Sequence, residues 1–350
     1  MSRIGSDVKV LIVGGAGFVG SNLTRSLVDA GAKEIVVVDN LLSSERENIP
    51  DRWSVRFWEG SIAEDGVLGN IKDEYDYVFH LATYHGNQSS IHDPLEDHKN
   101  NLFTTLKLFN HIRDFKNIKR VVYSSAGCAV AKKTYGEARA TCEDDPISLE
   151  MDSPYSISKL VGEFYAVYFH KQHGLPVVRA RFQNVYGPWE ILGAGKWRGT
   201  PATVWRNVTP TFIYKALKGQ SLPVENEGLS TRDFIYVKDI VDGLLACAET
   251  GDSGEVYNLA SGTETSIREL AETINGMTGN RVPVQFLPRR DWDTSGKRFG
   301  SKEKAKRELN FEAKVNLRDG LSETIEWTRN NLASIERCIQ RHAHQMGENL

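Results

Sequence analysis

The stretch VLIVGGAGFVGSNL, residues Val10 to Leu23, places glycines at 14, 17 and 20 directly after an apolar run. Val8 to Val13 reads as a buried parallel strand. Phe18 to Ala30 reads as a helix, with Leu23, Leu27 and Val28 at helical spacing and Gly31 as its stop. The glycines therefore fall in a strand-to-helix turn. Gly14 permits the tight turn, Gly17 lets a pyrophosphate approach the backbone, and Gly20 lets helix and strand pack closely. A diphosphate there meets the free N–H groups and the positive dipole end of the helix, whose first turn carries Phe18 and Val19. Taken alone, the triplet is also compatible with a glycine-rich turn that holds no ligand.

Asp39 narrows the choice. It ends the apolar run EIVVVDN (Glu34 to Asn40), about 20 residues beyond the glycines. A carboxylate at that place accepts both hydroxyls of an adenosine ribose and repels a 2′-phosphate. With Asn40 following and no arginine beside it, the pattern favours NAD over NADP. The competing reading of Asp39 is a helix or turn cap.

Further apolar runs, SVRFWEG (54–60), YDYVFHLA (75–82), RVVYSS (120–125) and LPVVRARF (175–182), alternate with helical patterns at about 95–115 and 154–172. This rhythm predicts an α/β fold with a doubly wound parallel sheet covered on both faces. Past Phe182 the rhythm breaks. NVYGPWEILGAGKWRGTP is a long irregular segment of the kind that usually carries function. DFIYVKDIVDGLLACAE and EVYNLASG resume strands and helices, and a C-terminal helix is predicted from about Ser322.

Composition bounds the rest. The 350 residues are 40% hydrophobic and 25% charged, with a net charge of −3. Nothing in that balance suggests a nucleic-acid or membrane footprint. No apolar stretch approaches the roughly 18 residues of a spanning helix. The opening MSRIGSDVKVLIVGG lacks the layout of a secretory leader. Cys128, Cys142, Cys247 and Cys338 are scattered and form no metal-type spacing, so a reduced, cytoplasmic setting is expected. His80, His85 and His92 show no metal-ligand pattern. His80 reads as a strand-end packing residue and His85 as a possible pocket residue.

SPYSISK holds Tyr155 and Lys159, four apart and so on one helix face. An ammonium near a phenol favours the phenolate and makes tyrosine a usable general base. The lysine can also reach a nicotinamide ribose. Elsewhere such a pair is often only a solvated helix face.

These motifs resemble the extended short-chain dehydrogenase/reductase family, and within it the NAD-dependent sugar-nucleotide epimerases and dehydratases, of UDP-glucose 4-epimerase type. The resemblance spans about residues 8 to 330. It rests on GGAGFVG, DNLLSS, HLAT, KNN, VVYSSAG, YSISK, NVYGP, TRDFIYV and EVYNLASG. It implies a Rossmann domain over residues 1–182, with a returning segment at about 232–262. A smaller C-terminal substrate-binding α/β domain would be interleaved over 183–330, and a helical tail would occupy 331–350. It also implies a homodimer paired through the helices at 95–115 and 154–172, whose outer positions would include Phe109, Phe164, Tyr168 and Phe169.

The resemblance further assigns roles. Asp39, Asn40 and Ser43 are the implied adenosine-ribose contacts. Ser61 and Ile62 would flank the adenine, with Ser61 standing where the family usually has aspartate. Leu81, Ala82 and Thr83 would line the cofactor, and Asn100 would orient the central helix beside it. Ser124 or Ser125 would bond the sugar 4-hydroxyl. AGCAVAKK departs from the family's x-x-V-Y-G, so a second register puts Ala126 in the catalytic place and Cys128 where a threonine would be. In the substrate half the implied diphosphate or sugar contacts are Asn184, Asn207, Val208, Arg232, Arg290 and Arg298. For Arg232 an ion pair with Asp233 or Asp239 is the alternative. For Arg290 and Arg298 the alternative is a solvated loop.

Family chemistry starts with oxidation at sugar C4, Tyr155 taking the hydroxyl proton. A standard 4,6-dehydratase then needs an Asp-Glu pair after the Ser/Thr, where this chain has Ala126, Gly127 and Cys128. Decarboxylating relatives usually carry a glutamate in this loop, also missing. The resemblance therefore favours 4-epimerisation of a nucleotide-diphosphate sugar, with UDP as nucleotide. A C4-oxidising dehydratase with unusual acid–base groups, and a non-catalytic dinucleotide sensor, remain the alternatives.

Overall fold

The computed structural model describes residues 4–5, 7–42, 44–84, 86–131, 134–191, 207–291, 293 and 296–341, apart from the side chains of Cys128 and Arg341. Seven parallel strands form the main sheet: β1 (Lys9–Val13), β2 (Glu34–Asp39), β3 (Val55–Glu59), β4 (Tyr77–His80), β5 (Arg120–Ala126), β6 (Val177–Phe182) and, returning late in the chain, β11 (Val256–Leu259). Their order is β11-β6-β5-β4-β1-β2-β3. The chain starts in the middle, winds to one edge, then crosses back. This is the Rossmann-like, doubly wound arrangement, with a crevice at the carboxyl ends where the order reverses.

Period-two alternation sorts the strand side chains between two cores. Val10, Ile12, Val37, Val122 and Ala180 pack with Leu23 and Leu27 of α1 (Phe18–Asp29) and with residues 240–248. Leu11, Val13, Val36, Val78 and Tyr123 face the other way, onto Leu108, Phe109, Ala166 and Phe169. Strands buried on both faces read as continuous apolar runs, which is why they are visible in the sequence.

On that second face lie α2 (Asp65–Leu68), α3 (Asn87–His92), α4 (Pro94–Asp97), a π-helical turn at His98–Phe103, α5 (Thr104–Ile112) and α6 (Pro154–His173). The helix predicted at about 95–115 is thus divided. A π turn is a common device where a side chain must be re-aimed at a site. Here Asn101, buried in that turn, holds the chain after β4 through both Tyr84 backbone groups. The dimer expectation needs one correction. Phe109 and Phe169 are not outer positions. They are buried at 0% and 3% exposure, against each other at 5.8 Å between ring centroids. Phe164 and Tyr168 do lie outside, about half exposed.

The remaining elements form three small pairings. β7 (Asn184–Tyr186) lies beside β10 (Phe234–Tyr236), β8 (Pro223–Glu225) beside β13 (Gln285–Leu287), and β9 (Thr231–Arg232) beside β12 (Thr265–Ser266). Around them pack α7 (Val208–Leu217), α8 (Val237–Thr250), α9 (Ile267–Thr278), α10 (Glu303–Leu309) and α11 (Leu317–Arg341). A third core, including Tyr186, Phe212, Val224, Leu270 and Leu321, joins several of these elements. The C-terminal helix begins at Leu317, earlier than predicted, and continues unbroken past residue 331.

Among the described residues no helix is long and apolar enough to cross a membrane. No cluster of His, Cys, Asp or Glu side chains among them is arranged to hold a metal ion.

Candidate active site

A cavity of about 400 Å³ runs along the carboxyl ends of β1, β2, β4, β5 and β6 and on into the small pairings. At one end lies the glycine turn. Gly14, at φ +87°, sits where a Cβ would fall 2.4 Å from Ala82 N. A Cβ on Gly20 would fall 2.2 Å from Gly14 O. Gly17 differs in degree: its nearest neighbour would be Gly14 O at 3.3 Å, a tight contact that asks the turn to give by only a few tenths of an ångström. It is also the N-cap of α1 and supplies no side-chain cap, so the helix N-terminus is left facing the cavity.

Asp39 stands at the end of β2. Its Oδ1 accepts from Leu41 N and Ser44 Oγ at 2.9 and 3.0 Å, and its Oδ2 accepts from Ala16 N at 2.9 Å. The cap reading is therefore satisfied, and the residue lines the cavity as well. Burial raises its carboxyl above the ordinary aspartate value, against the pull of those hydrogen bonds. The glycine cradle, the open helix end and this carboxylate fit the diphosphate and adenosine ribose of NAD. Asn40, Ser61, Ile62, Leu81, Ala82, Thr83 and Asn100, with Phe18 and Val19, line the same space. Ser61 Oγ accepts from Ala63 N at 3.1 Å, a local turn. Ser43 and His85 lie outside the described residues, as does the Cys128 side chain.

The central wall comes from β5 and α6. Pro154 opens α6, Ser153 accepts the Ser156 N–H at its start, and Gly174 closes it at φ +70°. Those signals place Tyr155 in the first turn and Lys159 one turn later. Both are buried, at 8% and 3% exposure. Lys159 Nζ lies 6.0 Å from the Tyr155 ring centroid, donates to Ser124 O at 2.9 Å and sits 3.5 Å from Ser124 Oγ. Ser124 donates its own hydroxyl to His80 O at 3.0 Å. His80 is a packing residue, its Nε2 2.9 Å from Thr105 Oγ1. Burial, and secondarily Lys159, hold its imidazole neutral with a pKa of about 3.

Ser125 donates to Glu163 Oε1 at 2.5 Å. Ala126, next along, lines the cavity with no polar side-chain atom, and Gly127 follows it.

At the far end lie Asn184, Asn207, Val208, Arg232, Arg290 and Arg298. Arg232 Nη1 donates to Thr231 O and Gly296 O, each at 2.7 Å, and Nη2 lies 3.9 Å from Asp293. Asp233 and Asp239 are taken up elsewhere. Asp233 accepts from Ser261, Gly262 and Gly300, and Asp239 from Lys314 N and Val315 N. Arg290 pairs with Glu225 at 2.5 Å, and Asn207 donates to Glu190. Among the described residues the buried Arg298 Nη1 has no hydrogen-bond partner, a donor suited to an anion.

Several site residues carried no sequence signal. Asn101 bonds Thr83 Oγ1 and Asp97, and Asp97 in turn accepts from Ser158 of α6. Glu163 is one turn beyond Lys159 in α6. Trp189, at φ +73°, lies in the cavity wall with the Arg25 guanidinium 3.6 Å from its ring centroid and Trp327 of α11 5.6 Å away. Gln183 could have been noticed, since it immediately precedes Asn184.

A sequence model of the NAD dependent epimerase/dehydratase family matches residues 10–260. The crystal structure of the Bordetella bronchiseptica enzyme WbmF in complex with NAD+ and UDP is 59% identical, with a TM-score of 0.87 and 99% of each chain covered. UDP-glucose 4-epimerase of Mycolicibacterium smegmatis is 30% identical over 331 residues, which is 92% of this chain and 99% of that protein. UDP-glucuronic acid decarboxylase 3 of Arabidopsis thaliana is 30% identical over 324 residues, which is 90% of this chain and 87% of that protein.

Proposed function

This chain belongs to the NAD dependent epimerase/dehydratase family, with NAD as its cofactor, and we propose that it inverts C4 of a UDP-linked hexose through a transient 4-keto sugar. The observation that carries this reading is the end of β5. An elimination needs a carboxylic acid or carboxylate beside the reacting sugar. The two positions after Ser125 are Ala126 and Gly127, and a Cβ on Gly127 would fall 2.2 Å from the Gln183 side chain. Neither position carries an acid: 126 is alanine and 127 is glycine.

Epimerisation needs only a base and a rotating ketone. Bound NAD would supply a reversible acceptor for the C4 hydride. Tyr155 takes the 4-hydroxyl proton and returns it to O4 once the keto sugar has turned its other face to the hydride. The buried Lys159 ammonium favours the deprotonated phenol through the low-dielectric wall. Ser124 and Ser125 spend their hydroxyl hydrogens on His80 O and Glu163, so they meet a sugar hydroxyl as acceptors. Arg232 and Arg298 supply guanidinium donors for the diphosphate, and Asn184, Asn207, Val208 and Arg290 complete that wall. The UDP held by the related WbmF structure supports the choice of nucleotide.

The test is incubation of the NAD-loaded chain with UDP-glucose and UDP-N-acetylglucosamine, followed by proton NMR. The expected result is interconversion with the C4 epimer, no net NADH, and retention of a C4 deuterium label in the sugar. An accumulating 4-keto product, or release of carbon dioxide from UDP-glucuronate, would overturn it.

A further inference from the structure

We infer that the Gln183 carboxamide grips a sugar hydroxyl beside the reacting carbon, and so helps decide which hexose the cavity accepts. The inference rests on the nucleotide-sugar reading above. Three observations carry it.

Gln183 directly follows β6, whose last residue, Phe182, is in register with Ala126 of β5. Gln183 lines the cavity together with Ser125, Ala126, Tyr155 and Asn184. It therefore stands at the same edge as the proposed base.

The amide passes close beside two glycines. A Cβ on Gly127 would come within 2.2 Å of Gln183 Nε2, and one on Gly300 within 2.6 Å of the same atom. Gly300 is itself fixed, its N–H donating to the buried Asp233 carboxylate at 3.2 Å. Two remote chain segments thus both lack side chains where this amide passes. A surface glutamine with no task does not require such a slot.

Among the described residues the Gln183 side chain makes no hydrogen bond, although it is half-buried. A primary amide offers two donors and an acceptor. Its polar neighbours have already committed their hydrogens: Ser125 to Glu163 and Ser124 to His80 O. Ala126 has none to offer. The carboxamide thus stands beside Asn184 at the end of β6 with its donors unspent among the described residues, and a sugar hydroxyl is a partner of matching chemistry.

The experiment compares Gln183→Leu and Gln183→Ala with the wild-type chain, each loaded with NAD. Expected for both variants is unchanged melting temperature, cofactor content and UDP affinity, with kcat/KM for the nucleotide sugar down about 10- to 100-fold. Deoxy analogues of the substrate should be turned over equally by wild type and Gln183→Leu when the missing hydroxyl is the one gripped. A folded, NAD-loaded variant with unchanged kcat/KM would overturn the inference, as would a loss that falls equally on UDP alone. Should the wild-type chain turn over no nucleotide sugar and bind no UDP, the reading beneath it falls instead, and this one with it.

Discussion

Ser125 hands its hydroxyl hydrogen to Glu163, Oγ to Oε1 at 2.5 Å, and both oxygens of that carboxylate are also claimed by Arg181 at 2.8 Å. Arg179 stands 3.5 Å from Glu163 Oε2. Glu163 and Arg181 are nearly completely buried, so the pair joins the end of β5 to α6 and β6 where water cannot substitute. Removing one partner leaves an uncompensated charge, which costs about 3–5 kcal/mol. Glu163→Ala is expected to lose that much in urea unfolding. Glu163→Gln, which keeps shape and one acceptor, should lose less.

The same contact sets the expectation for Ser125. Its hydrogen is not available to the substrate, so Ser125→Ala should lower kcat by less than about 10-fold. Tyr155→Phe removes the proton acceptor itself and should cost about 10²- to 10⁴-fold. Steady-state rates on the two variants decide this, and equal losses would return Ser125 to a direct role in proton transfer.

The three glycines of the turn should separate into two kinds. A methyl on Gly20 meets Gly14 O at 2.2 Å, and one on Gly14 meets Ala82 N at 2.4 Å in a backbone that already sits at φ +87°. Both collisions are with main chain, which cannot swing aside, so either alanine should destabilise the chain by about 1–3 kcal/mol or more. Gly17→Ala has only a 3.3 Å neighbour. It should melt within a few degrees of wild type and yet bind NAD at least about 10-fold more weakly, since the methyl occupies the space of the approaching diphosphate. Calorimetry beside a cofactor titration makes the distinction. A Gly17→Ala chain with full NAD affinity would show that the diphosphate lies elsewhere.

Much of this architecture was legible because parallel strands covered on both faces have no polar alternation to hide them. The runs ending at Val13, Asp39, His80 and Ala126 each stand out, and the glycine turn sits where the first of them ends. What was hidden depends on partners distant in sequence. Nothing local distinguishes Glu163 from any charged helix residue. Its meaning comes from Arg181 on β6 and Ser125 on β5. The π turn at His98–Phe103 is invisible to a 3.6-residue period, and the Tyr84 backbone that Asn101 binds lies 17 residues away. Phe109 and Phe169 read as apolar helix positions either way. Only the packed sheet tells which face they occupy.

Asp39 gives a pH dependence whose sign can be worked out. Burial raises its folded-state value above the ordinary 3.8. As pH falls through that raised value the carboxylate gains a proton and can no longer accept both ribose hydroxyls, so NAD affinity should fall, and at a higher pH than an exposed aspartate would give. Stability of the cofactor-free chain should move the other way. A raised acid is more costly to ionise in the folded state, so its contribution is present at low pH and lost as pH rises through the folded value. Asp39→Asn should flatten the acid limb of NAD binding and weaken binding at neutral pH. An unchanged acid limb in that variant would assign the titration to another group.

The outer face of α6 carries the last expectation. Ile157, Val161, Phe164 and Tyr168 are spaced four, three and four apart, the period of a seam between helices. Ile157, Phe164 and Tyr168 are each about half exposed, and Val161, Phe164, Tyr165 and Tyr168 line a shallow groove. Phe103, 43% exposed, extends the apolar surface from the neighbouring helical layer. Such a stripe fits the self-complementary contact of a two-fold dimer, in which each helix meets its own copy. Phe164→Glu places a charge on that axis against its symmetry mate. In sedimentation velocity the wild-type chain should run as a dimer and this variant as a monomer, with NAD content retained because the half-exposed Phe164 is not among the residues that line the cavity with Tyr155 and Lys159. A dimer that survives Phe164→Glu and Tyr168→Glu together would place the interface on another surface.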